Sequence, residues 1–388
     1  MSISDTTRPG DVSLDLDDLV GRAREMAGGH DEQRLRFLPA LERLLTAVEG
    51  EAGLDPVGRL VLHQFVVGQL VMQIETGRLV QAHPEIERLP VENLLVITGM
   101  PRTGTTALHN LLAEHPGLRA PRLWEMLAPP ASTDPVRHPQ LIRAAESYVE
   151  HYYTAAPALR DLHPLDAMRP DECHRLTAAT FTSPVFAQRY EVPGYLAWLD
   201  GQDLREVYEY HQTLLRCMLW RRPGTHVVLK CPSHLWHLDA LSAVYPQARI
   251  VRLHRDPTAG LPSACNLTAV VRGANGARVD RHAVGDQWLA YAWLGLSGLR
   301  RGDRYGSDTP TLDVRQRDLR TDPLGVTAQV CDFAGLPMSA EAGARMARHL
   351  GEQAPEPTGG PGYSLADFGL DRDQIDRQFS DYRAEFGV

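Results

Sequence analysis

Apolar residues recur at three- and four-residue intervals through the first part of the chain. Leu41, Leu44, Leu45 and Val48 fall on one helical face, and Leu62, Phe65, Val66 and Leu70 on another. This spacing predicts helices from about residue 12 to residue 86, separated by a turn at 53–56. The pattern changes at Leu94-Leu95-Val96-Ile97, a continuous apolar run of the kind found in a strand buried on both faces. The run closes in Thr98-Gly99, and helical spacing returns at Thr105, Leu108, Leu111 and Leu112. Two further runs follow. Val227-Val228-Leu229 ends at Lys230, and Ile250-Val251-Arg252-Leu253 ends at His254-Arg255-Asp256-Pro257. Helices are expected at about 234–244 and after Pro257, and residues 140–222 read as mainly helical. Strand, turn, helix, strand predicts right-handed βαβ units. The expected fold is α/β: a P-loop-like parallel sheet flanked by helices, with a helical N-terminal extension and helical insertions.

Composition narrows the class. The chain has 388 residues, 43% hydrophobic and 23% charged, which excludes collagen-like, disordered and disulfide-stapled architectures. Its net charge of −9 argues against a nucleic-acid partner or an anionic membrane surface. The five cysteines, Cys173, Cys217, Cys231, Cys265 and Cys331, are scattered without a C-x-x-C pair. That suits a reducing compartment and predicts no structural zinc site. Residues 1–18 are polar and acidic, unlike a secretory signal. The apolar stretch 60–72 contains His63, Gln64, Gly68 and Gln69, and reads as too short and too polar for a membrane span. A cytoplasmic protein is expected. Among 40 basic residues, Lys230 is the only lysine. A chain that uses arginine everywhere else and keeps one lysine at a strand end points to a need for an ammonium there.

The first strand leads into Gly99-Met100-Pro101-Arg102-Thr103-Gly104-Thr105-Thr106. Four residues separate the two glycines, as in a P-loop. A strand-to-helix turn of this kind points backbone N–H groups at one spot, with a helix N-terminus behind them, and so binds phosphate or sulfate. Thr103, Thr105 and Thr106 add hydroxyl donors. A nucleoside triphosphatase would carry lysine where Thr105 stands. Here the cation is Arg102, inside the loop. A second anion cradle is expected from Arg255 and Ser263, eight residues apart, whose guanidinium and hydroxyl can converge on one phosphate. Ligands of open α/β sheets sit beyond the carboxyl ends of the strands, the edge shared by Gly99, Lys230 and Arg255.

At these residues the chain resembles the sulfotransferases that use 3′-phosphoadenosine 5′-phosphosulfate (PAPS). The run from Val96 through Pro101, Arg102, Thr103, Gly104, Thr105 and Thr106 resembles that family's 5′-phosphosulfate loop, and Leu111-Leu112-Ala113-Glu114-His115-Pro116 is similar to its continuation. The arginine variant of the loop is like that of a bacterial subgroup, itself similar to the tyrosylprotein sulfotransferases. Arg255-Asp256-Pro257 through Ser263 resembles the 3′-phosphate motif. Lys230, Pro232, Tyr245-Pro246 and Arg255 resemble a stretch of the tyrosylprotein enzymes in which the lysine stabilises charge on the transferring sulfuryl group. The tail, 359–362 with Tyr363 and Ser364, resembles a segment that closes over the nucleotide in the bacterial subgroup. The resemblance covers residues 94 to about 335 and, loosely, the tail, with 1–90 outside its motifs; the expected organisation is one sulfotransferase domain over 1–388, with a helical extension (1–90), a nucleotide-binding α/β core (91–335) and a C-terminal loop and helix (336–388).

The chemistry so implied is in-line displacement at sulfur, with PAPS as co-substrate and no metal. By analogy with phosphoryl transfer, the protein positions groups and neutralises charge, here through Arg102, Lys230 and the loop N–H groups. The acceptor, a small-molecule hydroxyl, needs a general base. Glu125, in Arg122-Leu123-Trp124-Glu125, is the first choice, on the expectation of a strand end beside it and on the family resemblance. Glu172 is the second and His174 the third, both in Asp171-Glu172-Cys173-His174. His109, His234 and His237 read as helix-cap or packing residues. The competing readings are a P-loop kinase or NTPase, which would need Mg²⁺, and a nucleotide-binding protein without turnover.

Overall fold

Leu94–Gly99 (β1) is buried along its whole length, as a central strand covered on both faces must be. Successive side chains alternate between the faces. Leu94 and Val96 join one apolar cluster, Leu95 and Ile97 another. In the computed structural model, which describes residues 12–29, 35–222, 226–301, 309–352 and 362–388, β1 is the middle of a five-stranded sheet. The other strands are Leu118–Arg119 (β2), His226–Lys230 (β3), Arg249–His254 (β4) and Thr311–Arg315 (β5). Their order is β2-β3-β1-β4-β5, and every pairing is parallel.

This order puts a switch point beside β1, with β3 on one side and β4 on the other. Ile97 pairs with Lys230 and Gly99 with Leu253, so the carboxyl ends of the three strands share one edge. A crevice outside such an edge is where open α/β sheets take their ligands.

One face of the sheet is covered by the N-terminal helices Leu16–Met26 (α1), Leu38–Ala47 (α2) and Pro56–Ala82 (α3). Leu19, Leu41, Leu44, Leu62, Val66 and Leu70 pack there with Val96, Leu229 and Ile250. Asp55 caps α3 by accepting the Gly58 N–H at 2.7 Å, and Pro56 opens the helix. α3 runs 27 residues, well past the apolar stretch 60–72, and is long and apolar enough to cross a membrane by length and composition. Its buried face, with Val67 and Ile74 as well, packs on the core of this fold.

On the opposite face, Leu108, Leu111 and Leu112 of Thr105–Ala113 (α4) pack on Leu95, Ile97, Val228 and Val251, together with Val330 and Met346 of two later helices. A third cluster joins the helices Pro257–Ala274 and Arg281–Ser297 to the C-terminal residues Phe368, Ile375, Phe379 and Tyr382.

Three local expectations change. The helix expected at 234–244 is a 3₁₀ turn, Pro232–Trp236, and a separate helix, Leu238–Val244, broken at His237. β5 was not expected; only Val314 in it is buried, so it lacks the apolar run that marks the central strands. The strand end expected at Glu125 lies earlier. β2 is a two-residue edge strand ending at Arg119, and Glu125 sits on the short helix Leu123–Met126. Of the tail segment 359–362, residues 359–361 lie outside the described residues, as do residues 1–11.

Candidate active site

The turn after β1 needs unusual backbone. Gly99 has φ +147°, and a Cβ there would stand 2.5 Å from the Leu253 carbonyl oxygen, so β4 approaches too closely for any side chain. Arg102 and Gly104 take positive φ values of 69° and 93°. The Thr103 hydroxyl donates to the Met100 carbonyl at 2.7 Å and closes the turn. Gly104 then starts α4 without a side-chain cap, which leaves the first N–H groups of the helix directed at the crevice.

Lys230 ends β3 with its side chain 2% exposed. Its Nζ donates to Thr106 Oγ1 at 3.1 Å and forms an ion pair with Glu172 Oε1. Glu172 Oε2 lies 3.2 Å from His174 Nδ1. The chain carrying Glu172 is fastened to β3 by the Cys173 N–H, which donates to the Lys230 carbonyl at 3.0 Å. It is fixed on its other side by Asp171. The Asp171 carboxylate accepts the Glu172 N–H at 2.7 Å and Arg175 Nε at 2.9 Å, and Arg175 in turn donates to the Tyr148 hydroxyl at 2.7 Å.

Electrostatics follows from this packing. Burial raises the Glu172 carboxyl, but the Lys230 ammonium and the His174 hydrogen bond outweigh it and hold the group well below the usual carboxylate range. His174 is pushed down to about 4, chiefly by burial, with the Glu172 contact opposing. His109, on α4, is lowered to about 3 by burial and by the Lys230 charge. The locus therefore holds an ammonium, a carboxylate and neutral imidazoles.

A second locus adjoins the loop. Arg102 Nε donates to Ser263 Oγ at 3.0 Å, and its Nη1 to the Leu162 carbonyl at 2.6 Å. Arg255 Nη1 donates to the Arg102 carbonyl at 2.7 Å, so Arg102, Arg255 and Ser263 form one connected set. Tyr363 from the C-terminal segment also reaches Ser263, OH to Oγ at 3.0 Å. Beside it lies a cleft of about 440 Å³ lined by Thr258, Pro262, Tyr363, Leu365, Leu370 and Arg372, among others. Tyr363 had a signal in the sequence only through the resemblance of the tail.

Glu125 has a different set of partners. Its carboxylate, 1% exposed, is enclosed by Arg119 on both oxygens, by Arg222 Nη1 at 3.3 Å and by the Arg122 N–H at 2.8 Å. The carboxylate partner of Lys230 is Glu172. The reason is the early end of β2, after which the chain turns into a helix that buries Glu125 among arginines.

A family model described as "Sulfotransferase family" matches residues 95–340. Two curated relatives, the omega-hydroxy-beta-dihydromenaquinone-9 sulfotransferases Stf3 of Mycobacterium tuberculosis and Mycobacterium bovis, are each 28% identical over 253 residues, 62% of this chain. The match spans 62% of the length of these relatives. Among solved structures, the chain is similar to sulfotransferase STF1 from Mycobacterium tuberculosis, at 29% identity and TM-score 0.81 over 96% of this chain and 100% of that one. It is also similar to sulfotransferase STF9 from Mycobacterium avium, at 26% identity and TM-score 0.86 over 97% of this chain and 98% of that one.

Proposed function

The chain belongs to the sulfotransferase family, and from that membership we propose that it moves a sulfuryl group from PAPS to the hydroxyl of a small-molecule acceptor. The observation that carries the reading is the meeting of Lys230 Nζ with Thr106 Oγ1 and Glu172 at the mouth of the loop. A cation, a loop hydroxyl and a carboxylate at one point are the parts that transfer to a hydroxyl needs.

The residues fit a doubly phosphorylated adenosine. The bare backbone at Gly99 and the uncapped start of α4 suit the 5′ end, and the Arg102–Arg255–Ser263 set suits the 3′-phosphate. When bound, PAPS supplies an activated sulfuryl group whose departure leaves charge on a phosphate oxygen. Lys230, Thr106 and the loop N–H groups then face that charge in a site screened from water, where fixed donors act most strongly. Arg102 supports the same end of the nucleotide and links it to Ser263.

Glu172 is the residue we assign as general base. It is an anion beside the ammonium that neutralises the leaving side, and it is held from Asp171 and His174. Glu125, whose partners are Arg119 and Arg222 rather than Lys230 and the loop, is assigned a structural role. His174 is assigned to positioning Glu172. The acceptor class follows the hydroxylated menaquinone derivative for which the curated mycobacterial relatives are named.

Calorimetry with adenosine 3′,5′-bisphosphate against ATP tests the reading. Tight binding of the bisphosphate and weak binding of ATP, with or without Mg²⁺, is expected. The reverse order would favour the kinase reading and overturn this one.

A further inference from the structure

Behind Glu172 lies a group of side chains that the proposed transfer does not use. Cys173, His211 and His234 come from three separate segments: the turn before the short helix His174–Thr177, the middle of the helix Arg205–Leu219, and the 3₁₀ turn Pro232–Trp236. They converge so that one ligand atom of each, the thiol sulfur and two imidazole nitrogens, lies within 4.8 Å of the others. All three are 1% exposed or less.

The hydrogen bonding of the two rings is asymmetric in the same way. His211 Nδ1 lies 2.8 Å from the Tyr245 hydroxyl, and His234 Nδ1 lies 2.8 Å from the Tyr208 hydroxyl. Both Nε2 atoms are buried with no hydrogen-bond partner among the described residues. A buried polar atom without a partner costs about 1–3 kcal/mol, and here two such atoms belong to neighbouring rings whose outer nitrogens are both fixed. That is the arrangement metal-ligating histidines show: one nitrogen to the metal, the other N–H donated to an oriented oxygen.

We propose that Cys173, His211 and His234 bind a zinc ion. The donor set of one thiolate and two imidazoles is borderline-soft, which suits Zn²⁺ and disfavours Mg²⁺ or Ca²⁺. The ion balances a thiolate that could not otherwise be ionised at this depth. With zinc–ligand lengths of about 2.0–2.3 Å, tetrahedral ligand atoms stand roughly 3.3–3.8 Å apart, a spacing compatible with three ligand atoms that already lie within 4.8 Å of one another. The expectation of no zinc site rested on the absence of C-x-x-C spacing; these ligands are 38 and 23 residues apart and leave no local signature. The role is structural: Cys173 stands between Glu172 and His174, and its N–H is bonded to the Lys230 carbonyl at 3.0 Å, so the ion clamps that segment to the end of β3.

The test is elemental analysis of the full chain purified without chelator, followed by Co²⁺ titration of chelator-stripped protein. One zinc per chain and a near-ultraviolet thiolate-to-Co(II) charge-transfer band are expected, with both lost in Cys173→Ser and both kept in Cys331→Ser, a buried cysteine on another helix. Protein that carries no stoichiometric zinc and develops no charge-transfer band with Co²⁺ would overturn the proposal. So would a band that persists in Cys173→Ser. The wild-type titration decides the matter even where a variant fails to fold, and none of these readings depends on sulfuryl transfer.

Discussion

Lys230 and Glu172 form an ion pair across 58 residues of sequence, with side chains 2% and 13% exposed. Burial to this degree makes the pair asymmetric in its consequences. Together the two charges compensate each other, but removing one leaves the other in a poorly solvated place, at a cost of about 3–5 kcal/mol.

Lys230→Met removes the ammonium and keeps most of the volume. Turnover is expected to fall about 10²–10³-fold, the usual loss when one donor to developing charge is deleted. The midpoint of thermal unfolding should fall as well, because Glu172 is left unpaired. Lys230→Met with Glu172→Gln should recover much of the stability and none of the turnover. Thermal denaturation and steady-state rates measured on the three variants check both halves; a double variant no more stable than Lys230→Met would remove the ion pair from the argument.

The loop was legible because its chemistry is contiguous. Gly99 to Thr106 carries the spacing, the strand before it and the helix after it in one stretch, and apolar runs mark the three central strands. What escaped depends on distant contacts. Glu125 looked available from its place after the loop, yet Arg222, 97 residues on, helps to enclose it. Glu172 was the second candidate base in the sequence, but no local pattern announced its ion pair with Lys230, 58 residues on. β5 escaped for a different reason: as an edge strand with one buried residue it has no hydrophobic signature.

Ser263 Oγ accepts from Arg102 Nε and Tyr363 OH, each at 3.0 Å, and Arg255 braces Arg102 from behind. Arg255→Ala and Ser263→Ala should weaken adenosine 3′,5′-bisphosphate binding about 10–100-fold, the range for one hydrogen bond to a charged group. Binding of adenosine 5′-phosphate, which lacks the 3′-phosphate, should change little. Titration calorimetry with the two nucleotides distinguishes a lost 3′ cradle from general damage, which would weaken both alike.

Acid should loosen the β4–β5 edge. Burial raises Asp313, but hydrogen bonds from His254 and Arg252 outweigh it and lower its pKa to about 2. Arg252 holds it through two hydrogen bonds of 2.7 and 2.9 Å. A carboxylate with a depressed folded-state pKa stabilises the fold above its unfolded value of about 3.9, and that contribution disappears as pH falls toward 2. Asp313→Asn should therefore be less stable than the native chain at pH 7, with the gap narrowing between about pH 4 and 2. Urea denaturation at several pH values reads it directly. A gap independent of pH would mean that the carboxylate charge contributes nothing.

The two glutamates make the sharpest comparison, because the same conservative change removes a buried ion-pair partner at both sites, with some loss of stability at each, and should lower turnover per folded molecule at only one. Glu172→Gln keeps shape and most hydrogen bonds but removes the proton acceptor. Turnover should drop about 10²–10⁴-fold, the usual contribution of general base catalysis, while bisphosphate affinity stays within a few-fold of native. Glu125→Gln leaves Arg119 and Arg222 facing a neutral amide at a site where the carboxylate is 1% exposed. Stability should fall there, and the rate per folded molecule should not. The two outcomes cannot be exchanged without reversing the assignment. A Glu125→Gln protein that folds normally but transfers no sulfuryl group, beside an active Glu172→Gln, would restore Glu125 as the base. It would also require the chain after β2 to rearrange so that Glu125 leaves its arginines when the donor binds.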